Sequence, residues 1–575
     1  MGVRGVEAPR SRLAQWRLRR HLRERPWTPL LSPGNIECSH PSCYHLGSER
    51  DNREKSVALC RSARVRRRVR ISSTCFAAAV ITAGCAGRDI RDQHSSTITV
   101  LYPVDERSWA LYLPSQFLVF LPLTARGRDG KMHGWLARSW EYSADWRTCT
   151  VHLRSGVRWH DGHAVTAHDA KFTFELLANP SVGGEAPNAY SVRVIDDTTF
   201  AVTFRRKTAE YWLYYYPLYP RHLLENLDPA KFYDWDFWTQ PVGDGPFRYV
   251  RRQPKTMMEF RANAEYFDGK PRISRLVLKF GEPSITELLS GNVDAVPWIK
   301  ESDILKLRGD DRFRIYPAVK PDHIRAVIWN HRNALFADPA VRRALTLAID
   351  RRALLGTLNL PANVPTFDVL FTHEQFYRGE FPAGLAHDSR RAMALLDSTG
   401  WRDSDGDGIR DRNGRPFRFR ALVPPDQSFA NAAVFIQAQL RAIGVAMDIV
   451  TLEERTILPR VEKGDFEATL GPVNNDLAGN AAHIYYFGRQ SRIGYHNSRV
   501  AALLDSASAA FDPREVDRLY SELMPIFQAE LPVTFLYPLV RTTVAHRRVH
   551  GLSSPYRDDP LWFAGELWLE DGRRR

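Results

Sequence analysis

At 575 residues the chain is too long for one hydrophobic core, so two or three domains are expected. Apolar residues make up 44% and charged residues 25%, the balance of an ordinary globular protein. The net charge of +14 invites a nucleic-acid partner, but residues 1–85 hold 17 Lys and Arg against 6 Asp and Glu, leaving only +3 for residues 86–575. The basic excess is confined to the N-terminal segment and no basic stripe follows it, which argues against nucleic acid. Fifteen Trp and twenty-one Tyr suit a large ligand cleft, although most such rings serve as core.

Residues 1–60 are rich in Arg, Pro, Ser and His with no periodic apolar pattern, and read as a disordered or mis-assigned extension. Cys38, His40, Cys43 and His45 do not have the spacing of a zinc knuckle. Residues 61–85 then read as an export signal: RSARVRRRVR is a positive n-region, and ISSTCFAAAVITAGC is a short apolar run ending in small residues. That run is about 15 residues, short of the roughly 20 that a spanning helix needs. Its end, Thr82-Ala83-Gly84-Cys85, resembles a bacterial lipobox, with Thr82 where Leu is usual. Cys85 is the expected lipidation site, and ordinary secretory cleavage near Ala83 or Ala86 is the other reading. An export signal should open a chain, so the true start is expected downstream, at Val65 if a GTG codon initiates. Residues 86–96 read as a polar tether. After Cys85 only Cys149 follows, so no internal disulfide is expected.

The first predicted strand is TITVLYP at 97–103. A meander comes next, with Asp145-Trp146 as a turn and the strand TCTVHLRSGVRW from Thr148. There Cys149, Val151 and Leu153 alternate with Thr150, His152 and Arg154, the period of a half-buried strand. The stretch 157–177, VRWHDGHAVTAHDAKFTFELL, packs His160, Asp161, His163, His168 and Asp169 into ten residues, a composition from which zinc and iron sites are made. Local structure accounts for most of them. His160-Asp161-Gly162 reads as a turn, with Asp bonding backbone N–H groups and Gly at positive φ. Thr166 and Asp169 form a capping box, opening a helix whose Ala170, Phe174 and Leu177 share one face. The histidines are therefore expected to be surface and turn residues.

Further strands are expected at 198–204 and 273–280. Ser284 and Glu287 open a short helix that ends near Gly291. Asp338 and Pro339 open another, carrying Val341, Ala344, Leu345, Ala348 and Ile349. Helices at 390–396 and 432–443, the latter closed by Gly444, and a strand at 445–452 complete a mixed α/β pattern.

Along about 97–550 these residues resemble the family 5 extracellular solute-binding proteins, the peptide-, dipeptide- and nickel-binding group of ABC importers. LARSWEYSADWRTCTVHLRSGVRWHDGHAVTAHDAKFTFE is similar to the family's signature segment. Pro220-Arg221-His222, Gly243-Asp244-Gly245-Pro246-Phe247, ANAEYFDGKPRISRLVLKF, LLSGNVDAVPWI, WNHRNALFADPAVRRALTLAIDRRAL, RAMALLDSTGWRDSDGDGIRDRNGRPFRF, IQAQLRAIGVAMDIV and GYHNSRVAALLDSA follow in family order.

The resemblance implies a two-lobed α/β clamshell of the class II periplasmic-binding-protein type, with an additional domain inserted in the first lobe. The expected boundaries are 97–130, 242–330 and 534–575 for the core of lobe I, 131–241 for the inserted domain, and 331–533 for lobe II. It implies a monomer on the periplasmic or extracytoplasmic face, anchored as a lipoprotein, that delivers a peptide or similar small polar solute to permease subunits without covalent chemistry. A secreted metal-dependent enzyme built on His160 and His163, or a ligand sensor on the same fold, are the alternatives. No GxSxG, HExxH, P-loop or GxGxxG motif is present.

In peptide-binding relatives an aspartate in a Trp-rich segment pairs with the peptide ammonium. Here the corresponding stretch, 468–486, lacks the tryptophan, and Asp476 is its only acid. Asp476 with Asn474, Asn475, Tyr485, Trp298, Trp329 and Asn330 are the candidate ligand contacts, since they flank the family blocks that line the cleft. Separately, Asp403, Asp405, Asp407 and Asp411 with Gly406 mimic the first part of a calcium loop, but its twelfth position is Gly414, where a bidentate Glu belongs. A structural calcium and a plain metal-free hairpin both fit these residues.

Overall fold

A computed structural model describes residues 96–103, 117–127, 131–182, 190–205, 217–474, 481–552 and 559–570. The extension, the export signal with Cys85, and residues 86–95 of the tether lie outside the described residues. Among the described residues no helix is long and apolar enough to cross a membrane.

Ten strands hydrogen-bond into one sheet in the order Ala446–Thr451, Arg418–Val423, Ala468–Asn474, Phe313–Trp329, Val533–His546, Ala295–Val296, Thr97–Tyr102, Arg275–Phe280, Met257–Ala262 and Phe247–Gln253. Two strands far longer than the rest stand at its centre, Phe313–Trp329 with 17 residues and Val533–His546 with 14. They pair antiparallel from Phe313 opposite His546 to Lys320 opposite Leu539, and resume at Ile324 opposite Pro538. Between the two stretches Pro321, Asp322 and His323 leave the register. Pro321 has no N–H to donate to a ladder, which suits it to a bulge.

This break separates two packing regions. On one side, Ala545 and Val544 pair with Ala295 and Val296, and a core including Val100, Leu278 and Phe260 covers the N-terminal half. On the other, Ile324 to Trp329 pair with Val473 to Ala468, and two apolar clusters sandwich the sheet, one around Trp329, Phe336 and Phe419, the other around Phe367, Phe487 and Phe527. Strands buried on both faces need near-continuous apolar side chains, and Ala326-Val327-Ile328-Trp329 is such a run.

A separate four-stranded antiparallel sheet runs Ala137–Tyr142, Thr148–Leu153, Thr199–Phe204 and Tyr190–Asp196. The predicted alternation holds: Cys149, Val151 and Leu153 are buried and their neighbours are not. The strand stops at Leu153, earlier than expected, because Gly156 takes a left-handed φ of 78° and turns the chain. The helix Ala167–Leu177 follows, with Asp169 accepting from the Thr166 N–H at 2.8 Å as the capping box requires. The helix predicted from residue 432 begins at Gln427 instead, since Asp426 accepts from the Ser428 N–H and caps it there.

The small sheet is joined to the main one through the turn 243–246. Gly243 sits where an added Cβ would lie 1.9 Å from the Val119 carbonyl, so no side chain is tolerated. Asp244 is buried and accepts from the Leu121 N–H at 2.9 Å.

Candidate functional site

The register break in the central strands concentrates polar groups in an otherwise apolar sheet. Burial pushes the Asp322 carboxyl up, but the Lys320 ammonium and the His323 and His373 imidazoles override it and hold it well below the usual carboxylate range. Lys320 Nζ lies 3.4 Å from it and His323 Nδ1 3.3 Å. His323 stands opposite Asn474, the last residue of its strand. Two residues on, Arg325 stacks its guanidinium 4.2 Å over Phe429, and burial lowers its pKa. Asp322 Oδ1, Arg325 Nε, His483 Nε2 and the Tyr485 hydroxyl are buried atoms that find no hydrogen-bond partner among the described residues. Orphaned polar atoms are costly in a folded interior unless water or a ligand completes them.

Within the N-terminal part of the molecule a cavity of about 770 Å³ is lined by Phe117, Arg126, His133, Trp135, Tyr266 and Trp562 among others. Its volume falls within the usual range for ligand clefts. Arg126 ends the strand Thr124–Arg126, and its guanidinium crosses to the helix His373–Arg378 on the other side of the break. There it grips Glu374 with two hydrogen bonds, of 3.2 and 2.5 Å, and lies 4.4 Å over the Tyr377 ring. The helix start is fixed by Thr372 and Gln375, which cap each other's backbone N–H groups. One lobe thus holds the other through Arg126, a residue that also lines the cavity.

The residues nominated from sequence fall in several places. Trp329 is fully buried in the second lobe, donating its indole N–H to Thr534 at 3.2 Å and packing on Phe336 and Phe419. Asn330 is also buried, its amide donating to the Gly464 and Phe466 carbonyls. Both side chains are committed to the core. Trp298 adopts a left-handed φ of 55°, packs 5.8 Å from the Tyr102 ring and carries the Arg541 guanidinium 4.6 Å over its face. Asn474 is exposed at the register break, and Tyr485 stands on the helix Ala481–Phe487 beside it. Asn475 and Asp476 lie outside the described residues. Sequence reasoning missed Asp322, His323, His373 and Arg126. A polar Asp-His pair after Pro321, interrupting an apolar strand, was the available signal.

In the loop 403–411 the carboxylates of Asp403, Asp405 and Asp407 come within 4.8 Å of one another. Each already accepts backbone N–H groups of the loop: Asp403 from Gly406 and Gly408, Asp405 from Asp407, and Asp407 from Ile409. Asp411 points elsewhere, to the Ser404 N–H and hydroxyl.

His160 departs from the expected turn role. Its Nδ1 accepts from the Gly243 N–H at 3.2 Å and its Nε2 is 3.0 Å from the Gly245 carbonyl. Desolvation pushes its pKa down to about 4, so the ring is neutral and braces the small sheet against the main one.

Two lobes sharing a pair of long strands, clasped across the register break by Arg126 and Glu374, fit a protein that closes on a ligand. The chain belongs to the bacterial extracellular solute-binding proteins, family 5, whose middle-region model matches residues 131–495. Among its relatives is the oligopeptide-binding protein AppA of Bacillus subtilis, 23% identical over 410 residues, covering 67% of this chain and 74% of that protein. The structure of AppA with a nonapeptide superposes with a TM-score of 0.60 at 21% identity, covering 83% and 99% of the two chains. That of NikZ from Campylobacter jejuni with Ni(L-His) gives 0.63 at 23%, with the same coverage. The chain is accordingly the substrate-binding component of an importer, and its family works outside the cytoplasm.

Proposed function

We propose that the cavity lined by Arg126, Trp135, Tyr266 and Trp562 binds a small polar solute bearing a carboxylate, a short peptide in the first instance, and presents it to ABC permease subunits. The observation that carries this reading is the cavity itself: aromatic walls, with Arg126, His133, Lys270 and Arg272 against only Asp268 and Glu566. Rings supply apolar contact area, while guanidinium groups suit a carboxylate. Relatives include oligopeptide-binding proteins, which supports the peptide reading. A thermal-shift series with di- to pentapeptides, alongside nickel–histidine, tests it. A ligand at 100 times its Kd raises apparent stability by about 2.7 kcal/mol. If nickel–histidine alone shifts the melting temperature, the ligand class is a metal chelate instead.

The Arg126–Glu374 clasp gives a separate expectation. Arg126→Ala removes two charge-assisted bonds and a cationic contact for the ligand, and is expected to weaken binding about 10-fold, following the roughly 1.5 kcal/mol typical of such bonds. Calorimetry with the best peptide checks it. An affinity within twofold of the parent would show that the clasp does not hold the closed form.

A further inference from the structure

We propose that Asp161, His163 and His222 form a binding site for one divalent transition-metal ion of the borderline class, Ni²⁺, Cu²⁺ or Zn²⁺. The three come from two separate turns. Asp161 and His163 flank Gly162, whose φ of 98° folds the turn back. His222 belongs to the short helix Arg221–Leu224, 61 residues downstream of Asp161.

The donors already converge. His222 Nε2 is 2.7 Å from Asp161 Oδ2, and His163 Nδ1 is 3.2 Å from Asp161 Oδ1. The two imidazole rings face each other, with centroids 4.1 Å apart and planes inclined by 30°. One ligand atom from each of the three lies within 4.8 Å of the others. Ligands about 2.1 Å from a metal, at tetrahedral or octahedral angles, stand about 3.0–3.4 Å from one another. The 2.7 Å contact is a His222–Asp161 hydrogen bond, so metal binding releases its proton to solvent and draws these two donors apart by a few tenths of an ångström. Two imidazoles and a carboxylate select borderline transition metals over calcium and magnesium, and leave coordination positions for water.

The supports of the site are in place as well. Asp161 also accepts the His163 N–H at 3.2 Å, and Arg158 donates to the Gly162 carbonyl at 2.9 Å, which closes the turn. Asp169, the helix-capping carboxylate, accepts the Arg221 N–H at 2.9 Å and so delivers the next residue, His222, onto Asp161. Positioning of this kind orients ligands before the metal arrives. The His163 side chain is open to solvent, while the side chains of Asp161 and His222, though not Asp161 as a whole, are about three-quarters covered. The ion would clip the turn to the helix Arg221–Leu224. This site is independent of the proposed solute cavity, because none of its three ligands lines that cavity.

The test uses tag-free full-length protein and NiCl₂, CuCl₂ or ZnCl₂ in calorimetry, with metal content measured after dialysis. One equivalent is expected to bind at micromolar concentration. His163→Ala and His222→Ala should each weaken binding at least 10-fold, and the double variant should abolish it. Electron paramagnetic resonance of the Cu²⁺ form should show coupling to two imidazole nitrogens. His163 is exposed, so His163→Ala keeps the fold even if His222→Ala does not. Absence of stoichiometric binding by the parent protein overturns the proposal. So does affinity unchanged in His163→Ala, or a copper spectrum without two nitrogens.

Discussion

Replacing Asp368 with alanine is expected to lower the unfolding free energy by about 3–5 kcal/mol. Asp368 and Arg351 are a buried pair, exposed by only 1% and 4%. Two bonds of 2.6 and 3.2 Å join them, and Asp368 also accepts the Leu385 N–H at 2.5 Å. Arg351 donates in addition to the Phe367, Phe535 and Leu385 carbonyls. Removing the carboxylate leaves a buried guanidinium with carbonyls alone. The double variant Arg351→Met/Asp368→Leu is expected to recover part of the loss, because no lone charge is left behind. Recovery is incomplete, since the Leu385 N–H and three carbonyls also lose their partners. Urea unfolding monitored by tryptophan fluorescence measures both. A loss below 1 kcal/mol in Asp368→Ala would sink the idea that this pair ties the segment 366–385 to the central sheet.

Acid sensitivity is the second large effect. Desolvation first, then the nearby Arg342 charge, pushes the His331 pKa down to about 3, and its Nε2 is 2.8 Å from the Pro532 carbonyl. Desolvation and His373 bring His483 to about 3 as well, with Nδ1 2.7 Å from the Tyr520 hydroxyl. Both rings are neutral in the native state, whereas in the unfolded chain they titrate near 6.5. Between those values the unfolded state holds more protons, so stability declines as pH falls below about 6.5. Above that, neither ring contributes any slope. Each accounts for on the order of 3 kcal/mol by pH 4. Asp322, whose pKa is depressed, loses its contribution only below the ordinary carboxylate range, so it adds no slope from pH 6.5 to 5, where His160 contributes beside the two rings. Unfolding free energies for His331→Gln and His483→Gln should show flatter slopes in that interval. Slopes parallel to the parent's would refute the assignment.

Much of the fold was legible because its signals are local. The alternation at Cys149, Val151 and Leu153, the Thr166 and Asp338 caps, and the family blocks each lie within a few residues. The site was not legible in the same way. Arg126 meets Glu374 across 248 residues, and His222 meets Asp161 across 61. No periodicity encodes such meetings, because they depend on how the strands pair. Trp329 and Asn330 illustrate the converse. Their place beside a family block suggested the cleft, but strand register turns both inward, where the indole and the amide satisfy other parts of the core.

The two central strands also bear on how the chain is made. Residues 313–329 complete neither half of the sheet until 533–546 arrives, because that last strand pairs with both 313–320 and 324–328 and also carries the N-terminal half through Ala295. Contacts of such sequence separation are slow to form. A nascent chain that has not reached residue 533 lacks the strand that both halves of the sheet share, and is expected to stay loosely structured during synthesis. A strand order that leaves the shared core unfinished until residue 533 is expected to delay folding, which suits a family that works outside the cytoplasm and must cross a membrane unfolded.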